Sequence, residues 1–171
     1  MKNLKESFLS KDALYPAAHK DFILRLTRVA DVSKSSGTTE EQIERGKAFG
    51  SVYECFMYAA MLGFKAQYKL PFERGGTNGL KFLQIKFWKP ENIVEYIFMS
   101  LLALADYPLS EIESLTDDEA NAKALDLVKS MELYAKGGLE LMEAKSHESP
   151  HYFENPGNIV SFLQTMKPVV S

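Results

Sequence analysis

His147 and His151 stand four residues apart in the run His-Glu-Ser-Pro-His, with Glu148 between them. Zinc peptidases use this spacing: two imidazoles on one helical face grip the metal, and the glutamate activates its bound water. The chemistry needs an unbroken helix, and Pro150 opposes one. Its ring removes a backbone donor, clashes with the carbonyl of Ser146, and pushes Ser149 out of the helical region. The flanking residues read as a polar helix end becoming a loop. His19 is the one other histidine, so a third ligand would have to be a distant carboxylate. The spacing therefore predicts no metal site. His147 suits a helix C-terminus, where a protonated imidazole complements the dipole.

Other catalytic patterns are weaker still. There is no Gly-x-Ser-x-Gly elbow, and the glycines at 75–79 lack both a Gly-Lys-Ser/Thr ending and a strand-to-helix setting. Asp117, Asp118 and Glu119 read as acids in the first turn of a helix rather than a catalytic pair. Cys55, the single cysteine, lies in an apolar helical run and reads as a buried side chain. The expectation is a protein that is not an enzyme and uses no metal or cofactor.

The middle of the chain carries a different signal. Lys65, Lys69, Arg74, Lys81, Lys86 and Lys89 accompany one acid, Glu73, and are interleaved with Phe64, Tyr68, Phe72, Phe82, Phe87 and Trp88. Cations that neutralise phosphates release counterions, and aromatic faces stack on unpaired bases. The six cations are candidate nucleic-acid contacts. The alternative is a hairpin with core aromatics and solubilising lysines. Net charge divides the same way: residues 1–90 carry 15 Lys/Arg against 9 Asp/Glu, and residues 91–171 carry 5 against 14. That asymmetry suits a polyanion, or equally two halves that attract each other.

The elements that must position these residues are mostly helices. Composition is that of a globular chain, 46% apolar and 25% charged. No run reaches the length of a membrane span, and the N-terminus lacks a signal-peptide core, so a cytoplasmic protein with no membrane partner is expected. Phe22, Ile23, Leu26, Val29 and Ala30 fit a helix from Lys20 to about Ser33, although Phe22 to Val29 also alternates well enough for a strand, and Ser-Lys-Ser-Ser-Gly-Thr-Thr reads as a turn. Thr38 or Thr39 would cap a helix from Glu40 to Leu62, closed by Gly63. The stretches before and after Gly-Gly-Thr-Asn-Gly suggest a hairpin, with alternation from Leu83 to Phe87. Ile93 to Ala105 repeats at helical spacing, and Leu109, Ile112 and Leu115 should pin the connector that follows.

Thr116 and Glu119 form a capping box for a helix whose seam runs through Ala120, Ala124, Leu127, Met131, Tyr134, Gly138 and Leu141. Gly137 and Gly138 must end that helix or admit a close neighbour, since each costs about 1 kcal/mol relative to alanine. Asn155 caps and Pro156 opens a last short helix. The reading is a mainly α, single-domain bundle over residues 1–171, with about five helices and a small central β-hairpin or extended arm. Residues 1–37 read as an N-terminal extension of open fold.

Phe56 to Phe72 and Leu133 to Met142 resemble the small proteins associated with DNA phosphorothioation (Dnd) systems in bacterial defence loci. The matching positions are Ala59, Ala60, Gly63, Phe64, Lys65 and Pro71, then Tyr134, Ala135, Gly137 and Gly138. The resemblance implies a non-enzymatic accessory role in a DNA-modification and restriction (anti-phage defence) system, with DNA and other defence proteins as partners. The alternative is a protein-interaction module without nucleic-acid contact, docking a larger partner through the acidic 116–143 helix or through Tyr134, Gly137 and Gly138. Self-association is left open.

Overall fold

Thr116 starts the longest element. Its hydroxyl accepts from the Glu119 N–H, and the Glu119 carboxylate accepts from the Thr116 N–H at 2.9 Å. This reciprocal cap satisfies two orphan donors and holds the Glu119 carboxyl below its usual range. From it a helix runs unbroken over Asp117–Glu148, straight through the glycine pair. The computed structural model describes residues 2–27 and 48–170. Among these the helices, in chain order, are α1 (Lys2–Leu9), α2 (Lys20–Leu26), α3 (Val52–Ala66), α4 (Glu91–Ala105), α5 (Leu109–Glu113), α6 (Asp117–Glu148) and α7 (Pro156–Thr165). Two short strands, β1 (Leu14–Pro16) and β2 (Gly79–Lys81), complete the framework.

The α6 glycines earn their place by what they lie against. A β-carbon on Gly138 would fall 1.9 Å from the Ala59 carbonyl oxygen of α3, and one on Gly137 would fall 2.2 Å from that of Tyr68. Gly63 of α3 reciprocates, its missing β-carbon facing the Tyr134 carbonyl at 2.1 Å. Ala59 meets Gly138 while Gly63 meets Tyr134, so the two helices run antiparallel. No side chain fits between the backbones at these points. Gly63 is therefore interior to α3, not its C-cap. The cap is Gln67, in the left-handed region at φ 50°, four residues later than the sequence suggests.

The start of α3 also differs. Ser51 caps it, its hydroxyl accepting from the Glu54 N–H at 3.3 Å, while Glu54 accepts from the Gly50 N–H at 2.8 Å. Ala48–Ser51 is not helical. The Thr38 and Thr39 caps, the helix start at Glu40, the Ser-Lys-Ser-Ser-Gly-Thr-Thr turn and the second half of the Lys20–Ser33 helix lie outside the described residues. What is described of that helix ends at Leu26, and Thr27 is extended, bridging Phe49.

A small antiparallel sheet is present, but with a different partner. β2 pairs with β1 from the N-terminal region, Tyr15 opposite Leu80. The segment after α3 is drawn instead onto α6, where the Leu70 N–H donates to the Leu133 carbonyl. Ile85–Phe87 is a turn of 3₁₀ helix rather than strand. The N-terminal region is built into the core: Leu4, Phe8, Ala13 and Ile23 are fully buried. Tyr15, Phe56, Phe82 and Trp88 form one aromatic group, with Phe82 and Trp88 stacked at 5.5 Å. Ile112 is buried as expected, whereas Leu109 is 71% exposed and pins nothing. No helix among the described residues is long and apolar enough to cross a membrane.

Gly138→Ala tests the seam because two effects oppose each other. Helix propensity alone would stabilise the variant by about 1 kcal/mol. Overpacking against rigid backbone should reverse the sign, for a net loss of about 2 kcal/mol or more. Gly75→Ala, with open space around it, should stay within about 0.5 kcal/mol of the parent. Urea denaturation reads both.

Candidate functional site

The six central cations meet different fates, decided by what folds back onto each. Arg74 reaches α6, where its Nε lies 2.7 Å from Glu132 Oε2 and a terminal nitrogen 3.1 Å from Oε1. Lys81 pairs with Asp12 at 2.7 Å, and Lys89 with Glu91 at the start of α4. Lys65 donates to the Gln164 carbonyl near the end of α7. Lys69 lies over the Tyr134 ring and Lys86 over that of Phe87. Half of the set is thus neutralised by the chain's own carboxylates. The interleaved aromatics are largely spent as well. Trp88 is buried and donates its indole N–H to the Leu83 carbonyl at 2.6 Å, Phe82 packs on it, and Phe64 meets Tyr134 edge-on. Phe87, 53% exposed, is the aromatic of this segment most open to solvent.

Glu132 was not singled out by sequence, yet it is the most constrained charge among the described residues. Its side chain is 1% exposed. Besides Arg74 it accepts from the Leu14 N–H at 2.8 Å, and Arg74 donates to the Asp12 carbonyl at 3.4 Å. One buried carboxylate thereby ties the N-terminal strand and the Arg74 loop to α6. Burial pushes its carboxyl above the usual range, outweighing Arg74 and the Leu14 N–H, which pull it down. The sole sequence signal was a glutamate on the buried stripe one position after Met131.

The three residues expected to dock a partner turn inward. Gly137 and Gly138 are buried between α6 and the chain that crosses it. They present no surface to another molecule. Tyr134 is half-buried between Phe64 and Lys69.

The chain matches the family described as DNA sulphur modification system-associated protein 4 over residues 33–167. It belongs to that family. No curated protein and no solved structure matches it.

The histidines of the 147–151 run do not share a helix. α6 ends at Glu148, Ser149 is extended, and His151 Nδ1 lies 2.8 Å from Glu154. Both histidines line an open groove of about 670 Å³ between α2 and the end of α6, with Asp21 and Glu143. His19 is buried beside it, its ring nitrogens 3.2 Å from Glu143 and 3.5 Å from Glu140, neither along a hydrogen-bonding direction. No three His, Cys, Asp or Glu side chains among the described residues converge as a metal site. Cys55 is fully buried, which pushes its thiol up and keeps it protonated.

Arg74→Ala should leave Glu132 buried without its partner and cost about 3–5 kcal/mol at pH 7. A carboxyl raised in the folded state favours folding at low pH, and that contribution is lost as pH rises through the folded value. The deficit of Arg74→Ala should therefore shrink as pH falls from 7 towards 5. Arg74→Ala with Glu132→Gln should recover much of the loss at pH 7. Thermal melts of the single and double variants across pH check both.

Proposed function

We propose that this chain is a non-enzymatic accessory protein of a bacterial DNA sulphur-modification and restriction system. In this reading it acts by docking to other proteins of that system, and not by gripping DNA through residues 64–89. One observation carries the reading: Arg74, Lys81 and Lys89 are matched by Glu132, Asp12 and Glu91. A cation held by its own carboxylate neutralises less phosphate charge and so releases fewer of the DNA's counterions, adding little to affinity. Lys5 and Glu95, at 2.7 Å, likewise join the basic and acidic halves of the chain. Family membership supports the system; the charge pairing supports the mode.

A second reading keeps DNA as a partner on a smaller footing. Lys65 and Lys69 meet no carboxylate among the described residues. A pair of that size fits about two phosphate contacts.

Salt separates the readings. Titration of a labelled duplex should give no saturable binding at about 50 mM salt if docking is the function. A log–log salt slope of about −2, lost in Lys65→Ala with Lys69→Ala, would favour the smaller patch. A slope of about −5 would mean that all six cations meet phosphate, and would overturn the docking reading.

A further inference from the structure

α4 is apolar on both of its faces. Val94, Ile97, Phe98, Leu101 and Leu102 are buried against the core. On the opposite side Tyr96 is 57% exposed, Met99 47%, and Ala103 is also exposed. These three stand at i, i+3 and i+7, so they form one ridge about 10 Å long. From Tyr96 to Ala105 the helix carries no charge at all. A surface helix normally turns charged residues to water, and one that is apolar all round is normally covered on both sides. Leu109, the first residue of α5, is likewise apolar and 71% exposed.

The stretch of sequence around this ridge has one sign. Between Pro90 and Ala122 the chain carries eight Asp or Glu and no Lys, Arg or His. Glu91 and Glu95 are paired with Lys89 and Lys5, Asp117 accepts from Asn3, and Glu119 serves in the helix cap. That leaves Asp106, Glu111, Glu113 and Asp118, which follow the ridge in the chain, with no cation partner among the described residues. Lys123 is the nearest cation in sequence, and it lies on the Tyr107 ring at 4.1 Å.

We propose that the outer face of α4 is the docking surface for a cationic amphipathic helix of another protein. The small side chains Ser100 and Ala103 beside Tyr96 and Met99 give holes as well as knobs for a crossing helix. Leucines of the partner would lie along the ridge, and its lysines or arginines would meet the free acids. Charge selects this occupant over the others. A second copy would bring the same acids against themselves, and nucleic acid would be repelled outright. The inference rests on the docking reading above and names the face that serves it.

Two measurements on the full chain test it. First, a synthetic three-heptad amphipathic helix with leucine seam and lysine flanks is titrated by fluorescence anisotropy. It should bind saturably, and Met99→Glu should weaken binding about tenfold or more without lowering the melting temperature. Tyr96→Lys, on the same ridge, is the second variant should Met99→Glu misfold. Equal binding of a glutamate-flanked peptide, or no effect of either substitution, overturns the proposal. Second, a benzophenone side chain replaces Tyr96, or Lys69 as a control, in cells that co-express the other proteins of the system. Crosslinks from position 96 to a basic helix of one of them support the proposal; crosslinks only to a second copy overturn it. Protein crosslinks from position 69 with none from 96 would remove this face and leave the docking reading standing. Strong DNA binding with no protein crosslink would remove both.

Discussion

Everything in this molecule is arranged around one backbone-to-backbone contact, where α3 and α6 cross with no side chain between them. Gly63 and Gly138 each face a carbonyl of the other helix, and Gly137 faces that of Tyr68. An interior glycine pair weakens an isolated helix by about 2 kcal/mol in total. Here the helix continues because close approach lets Phe56, Leu62, Met131, Ala135 and Leu139 pack from both sides into one core. Closeness also fixes register. Once Ala59 lies on Gly138, the segment after α3 is delivered to Leu133, and Arg74 follows it to Glu132.

That sequence of placements accounts for the electrostatics. Glu132 sits on the buried stripe of α6, where an isolated carboxylate would be costly, and the chain emerging from α3 supplies the guanidinium it needs. The N-terminal strand completes the site through the Leu14 N–H. The opposite charges of the two halves are thus partly consumed inside the molecule, by Arg74 with Glu132 and Lys5 with Glu95. What remains outside is uneven: a few lysines near the end of α3, an apolar ridge on α4, and acids without a cation partner on α5 and beside it in the chain. Ala59, Gly63, Gly137 and Gly138 belong to the packing contact, so they explain the fold rather than a binding surface.

Much of the helical layout was legible, because periodicity and caps are local. α4 has the bounds its spacing implies, the Thr116 box starts α6, and Asn155 with Pro156 opens α7. Ser51-Val-Tyr-Glu54 carried the same capping signature as the threonines upstream and marks the start of α3. Gly63 read as a terminator because a glycine at a helix end and a glycine at a helix crossing look alike until the crossing partner is known. The partner of β2 was equally hidden, since the pairing spans more than sixty residues. For the candidate site, type and spacing located the cations but not their carboxylates. Asp12 and Glu132 lie far away in sequence, and only the fold brings them in.

Native-state hydrogen exchange tests the central claim most directly. If the α3–α6 crossing is the seam on which the rest is assembled, amides of residues 57–63 and 131–139 should exchange only through global unfolding. Their opening free energies should then match the stability from denaturation and fall together with it in urea, while α7 opens earlier. Exchange of either segment at a markedly lower free energy, with α4 or α1 better protected, would contradict the account.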